Sequence, residues 1–92
     1  MIRLEKQTAK EINSGIADRM ALLRKRRGYS QKKLSEKAGV SLGSLKRFEQ
    51  EGEISLRSLT KLAIALEAEE ELLALFSDIP PLSIEEVIRG QS

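Results

Sequence analysis

Between positions 30 and 50 the chain sets out side chains that can donate hydrogen bonds to anions and to other polar groups: Ser30, Gln31, Lys32, Lys33, Ser41, Ser44, Lys46, Arg47 and Gln50. This is the chemistry of recognition rather than of bond making. The 92 residues include no Cys and no His. Disulfides, zinc sites built from those ligands, thiol nucleophiles and an imidazole general base are therefore excluded. Glu69, Glu70 and Glu71 are adjacent, and a helix would spread them around its axis instead of converging them on a metal. No enzymatic activity, cofactor or metal is expected.

Charge is segregated along the chain. Net charge is only +2, yet residues 19–61 carry twelve basic groups against four acidic, a net of +8. Residues 62–92 carry Arg89 against seven acidic groups, a net of −6, and residues 1–18 are neutral. A polyanion is the partner such a basic middle suits. No apolar run approaches the roughly 20 residues of a spanning helix, and the opening Met1-Ile2-Arg3-Leu4-Glu5-Lys6 lacks the apolar stretch of a signal peptide. A soluble, cytoplasmic protein without membrane association is expected.

Helical periodicity and caps must position these groups. Thr8 with Glu11 reads as a capping box, followed at helical spacing by Ile12, Ile16, Met20 and Leu23. This predicts a helix from about Ala9 to Arg27, stopped by Gly28. Ser30 caps a short helix carrying Leu34 and Ala38 that ends at Gly39. Ser41 caps a third, with Leu45 and Phe48 inward and Gly52 as its close. Ser55 opens a fourth with Leu56, Leu59, Ala63 and Leu66 on one face, and Glu69 to Phe76 reads as a fifth with Leu72, Leu75 and Phe76. Pro80-Pro81 stops it, and Ser83 with Glu86 caps a terminal helix bearing Ile84, Val87 and Ile88. At the other end Ile2 and Leu4 alternate with Arg3 and Glu5, which suits a short strand or a loose arm; the arm is preferred. The expected division is an arm over 1–7, a domain over 8–78 and a tail over 79–92.

On a helical wheel of the third helix, Leu45 and Phe48 define the inner side; Gly43, Lys46, Arg47 and Gln50 fall opposite, with Leu42 and Ser44 at the flanks. Glu49 lies close to the inner side. The stretch from Arg24 to Gly52, with Gln31, Leu34, Ala38-Gly39-Val40, Leu45, Phe48 and Glu49 in register, resembles the helix-turn-helix of lambda-repressor and Cro type, the XRE family. The match extends from roughly Ile16 to Leu66. The resemblance implies an all-α, five-helix DNA-binding domain whose third helix enters the major groove, here with an added arm and short C-terminal helix. It implies that Gln31 grips the DNA backbone and that Glu49 is structural, pairing with Arg24. Double-stranded DNA is thus the expected polyanion. Lys46 and Arg47 suit phosphates or guanine edges, Gln50 suits adenine, and Ser44 either kind of acceptor. Ser41 at the helix start joins this set. Ser30 is a cap first, with Lys32 beside it at the end that favours phosphate. Two positions depart from the family. Leu42 and Gly43 stand where relatives often carry long polar side chains, so base readout is expected to be thin, with Gly43 allowing close approach and Leu42 touching a thymine methyl. Ser35 stands where Ala is usual, and its hydroxyl is expected to bond back to the Gln31 carbonyl.

A chain of this size buries only about 60 to 65% of its unfolded surface. Leu72, Leu73, Leu75, Phe76, Ile79, Leu82, Ile84, Val87 and Ile88 exceed what one small core can absorb on one helical face. Either a second copy covers them, making a homodimeric repressor on an inverted repeat, or the tail folds back over Ile12 and Ile16. Length, long first helix and acidic tail also resemble the HipB-like antitoxins, which repress their own operon and bind a kinase toxin. The competing reading is a protein-interaction adaptor whose helix-turn-helix does not read DNA, against which the central +8 argues.

Overall fold

In a computed structural model, which describes residues 7–90 of the chain without the side chains of residues 86–88, the protein is all-helical. Its elements are α1 (Ala9–Arg26), α2 (Gln31–Ala38), α3 (Leu42–Glu51), α4 (Leu56–Ala65), α5 (Glu69–Leu73) and α6 (Ile84–Gly90), with no strand among the described residues. The arm expected over residues 1–7 lies almost wholly outside the described residues, as does the Glu86 carboxylate of the second capping box.

The starts of the first four helices are each fixed by a hydroxyl. Thr8 and Glu11 form the expected capping box, Thr8 Oγ1 accepting from the Glu11 amide at 3.1 Å and Glu11 Oε1 accepting from the Thr8 amide at 3.1 Å. Ser30, Ser41 and Ser55 each accept the amide three residues on. The stops are left-handed. Gly28 donates to the Lys25 carbonyl and Tyr29 to that of Arg24, a Schellman closure that reverses the chain into α2. Gly39 (φ 70°) reverses the chain between α2 and α3, its amide and that of Val40 both donating to the Ser35 carbonyl. The closure of α4 uses no glycine: Glu67 takes φ 57°, and Ala68 donates to the Ala63 carbonyl at 2.8 Å.

Phe48, Leu34, Leu45, Leu62 and Leu66 are fully buried, joined by Ala17, Val40 and Ala65. They hold α3 against α1 and α2, and α4 against α2 and α5. At the α1–α3 crossing Gly52 is buried with φ 74°, and an added Cβ would stand 3.1 Å from the backbone of Asn13 and Ser14.

Four expectations are corrected here. The fifth helix ends at Leu73, three residues short, and Phe76 turns out of it at φ 58°. Leu56, expected on the inner face of α4, is 68% exposed because it is the first residue of the helix and lies beyond the edge of the core. Ser35 Oγ donates to the Lys32 carbonyl at 2.7 Å rather than to that of Gln31. The tail does not fold back: Leu82 and Ile84 are exposed, as is Ile12 on α1.

Candidate nucleic-acid interface

The interface begins with a buried cation. Arg24 in the last turn of α1 is only 7% exposed. Its Nε and Nη2 donate to the two oxygens of Glu49 on α3 at 2.7 and 3.0 Å, and its Nη1 donates to the Tyr29 carbonyl at 2.8 Å. Bidentate, charge-assisted pairing of this kind fixes direction as well as distance, so the expected Arg24–Glu49 pair also orients α3 about α1. The same carboxylate takes a third bond, from Gln31 Nε2 at 3.0 Å. Gln31 is the first residue of α2 and is half-buried. Its side-chain amide is thus aimed inward at Glu49, where the sequence reading had it aimed only at phosphate. Its backbone amide still lies in the first turn of α2, whose free N–H groups favour anions.

With Leu45 and Phe48 locked inward, the opposite side of α3 is displayed. Gly43, Ser44, Lys46, Arg47 and Gln50 are all exposed, and Leu42 is half-buried at the flank. Gly43 has open space where a Cβ would stand. Ser41 and Ser44 are bonded to each other, Oγ to Oγ, at 2.7 Å, so both hydroxyls are part of the α3 cap. Ser30 is likewise engaged as the α2 cap, with Lys32 exposed beside it. Among the described residues Lys46 has no ion-pair partner. Arg47 has two: its Nε donates to Glu51 Oε2 at 3.0 Å, and its Nη2 donates to Glu53. Hydrogen bonds to Glu53 first and Glu51 second hold the Arg47 guanidinium above its already high ordinary value. A cleft of about 320 Å³ follows this face, lined by Ser44 and Arg47 of α3 and by Ser55 and Ser58 at the start of α4. The N-terminus of α4 is a part of the surface that the sequence reading missed; Ser55 had signalled a cap, but nothing local in the sequence places that cap beside Arg47.

A short helix held by its apolar side against a scaffold, with a polar, partly basic side outward and a tight left-handed turn before it, defines a helix-turn-helix DNA-binding domain of lambda-repressor-like architecture. The helix-turn-helix family model, of XRE type, matches residues 20–73, and the chain belongs to that family. It is a DNA-binding transcription regulator. No curated protein matches the chain at a significant level. No helix among the described residues is long and apolar enough to cross a membrane.

Proposed function

We propose that the protein is a transcriptional repressor of the cytoplasm that binds an inverted-repeat operator as a homodimer, with α3 of each copy in the major groove. The observation that carries this reading is the two-sidedness of α3, with Leu45 and Phe48 buried while Lys46, Arg47 and Gln50 are exposed. Lys46 and Arg47 contact phosphates or guanine edges, Gln50 an adenine, and Leu42 and Gly43 the groove floor at close range. Gln31, Ser30, Lys32, Ser41 and Ser44 position the domain on the backbone through the capped starts of α2 and α3. The domain runs over 8–78, flanked by the arm and by a tail over 79–92.

The exposed residues Leu73, Leu75, Phe76, Ile79, Leu82 and Ile84 support a protein partner for the C-terminal region. The second copy is one; in the antitoxin subtype a kinase-type toxin is another, and the protein then represses its own operon. Selection of duplex DNA with the purified protein, followed by footprinting, tests the main reading. The expected product is a pseudo-palindrome with half-site centres ~34 Å apart, one helical turn. Recovery of single, non-repeating sites overturns the dimeric reading, and recovery of no sites overturns base readout itself.

A further inference from the structure

We propose that Glu51 and Glu53 form an acidic latch on Arg47 that sets how tightly, and with what salt dependence, the α3 face holds DNA. The inference rests on the reading of that face as the DNA contact. Glu51 is the last residue of α3, and Gly52 then turns left-handed so that Glu53 comes round beside the same guanidinium. Two carboxylates thereby occupy the donor fork that a phosphate would use. All three side chains are open to solvent, at 63% for Arg47 and 57% and 59% for Glu51 and Glu53. Exposed pairs of this kind are individually weak, so the latch yields to DNA instead of blocking it.

Its consequence is competitive. A duplex must either displace the carboxylates from Arg47 or dock with Glu51 and Glu53 still beside its phosphates, and both routes lower affinity for DNA of any sequence. Lys46 is the neighbouring cation on the same face and carries no such partner among the described residues. It therefore serves as an internal control.

The test measures binding to a duplex of unrelated sequence by fluorescence anisotropy across a salt series, with circular dichroism to verify folding. The variants are Glu51→Gln/Glu53→Gln, Arg47→Ala, the combination of all three, and Lys46→Ala. The expected result is that Glu51→Gln/Glu53→Gln tightens binding about three- to tenfold at low salt and steepens the log–log salt slope by about 1 per protomer. Arg47→Ala should cost more in the Glu51→Gln/Glu53→Gln background than in the native one. The latch is overturned if the paired glutamate variant binds no tighter, or if it tightens binding equally when Arg47 is already Ala, which would mean general repulsion. Lys46→Ala separates the two layers. If it weakens binding while the glutamate variants do nothing, the latch alone fails; if it too leaves affinity unchanged, the DNA reading of the face fails with it.

Discussion

Glu49 is the side chain on which three helices depend, since one carboxylate accepts from Arg24 of α1 twice and from Gln31 of α2 once. Removing it leaves the Arg24 guanidinium buried with only the Tyr29 carbonyl. Glu49→Ala is expected to destabilise the domain by about 3 kcal/mol, measurable by urea unfolding. Lys46→Ala is expected to weaken DNA binding without changing the unfolding midpoint, because its side chain is exposed and unpaired among the described residues. Gln31→Ala removes the bond to Glu49 that holds the start of α2 in place, and it should lower affinity for cognate and unrelated duplexes alike, since contact with the DNA backbone positions but does not specify. A loss confined to the cognate site would instead make Gln31 a reader of bases. The Arg24–Glu49 pair was legible through the resemblance. The Gln31–Glu49 bond and the approach of Glu53 to Arg47 were not, because both reach across a turn between elements; the Arg47–Glu51 pair, at i,i+4 on one helix, has a spacing that allows it.

At the scale of elements, the helix starts were readable residue by residue, since a Ser or Thr cap acts on an amide three positions on and needs no tertiary context. The stops were readable where they use glycine. Gly39 and Gly52 both take a positive φ, yet they differ in surroundings: beyond Gly39 there is open space, while Gly52 abuts the α1 backbone at 3.1 Å. Gly39→Ala should therefore cost on the order of 1 kcal/mol, the left-handed penalty alone. Gly52→Ala should cost clearly more, because main chain cannot swing aside as a side-chain tip can. Thermal unfolding of the two variants checks the order, and equal losses would show that α1 and α3 separate easily. The α4 stop was not readable as such, because Glu67 occupies the left-handed position without glycine's freedom. A 2.7 Å pair with Arg27 at the end of α1 accompanies that conformation.

For the whole molecule, the C-terminal third sets what a partner must cover. Phe76 is 85% exposed and held at φ 58°, with Leu73 and Ile79 exposed near it in sequence. If this strip joins two copies, the variant Leu73→Ser/Phe76→Asn/Ile79→Ser, in which Asn suits the left-handed position, should shift the mass in solution from dimer to monomer by light scattering. It should also weaken binding to a two-half-site duplex while leaving helicity intact. A dimer that survives places the interface elsewhere.

The helical class, the register of the turn from Ala38 to Val40, the inner side of α3 and the segregation of charge could all be read from the order of residues alone. Each of these follows from local periodicity, a cap or a count. The packed fold was needed to place the end of α5 at Leu73, to bring Ser55 and Ser58 of α4 beside the α3 face, and to bring Glu53, beyond Gly52, to Arg47. One cause underlies all three. Caps and periodic faces act over one turn of helix, whereas these features depend on how far one element travels before another meets it, and on which of several exposed partners a long, flexible cation finds within reach.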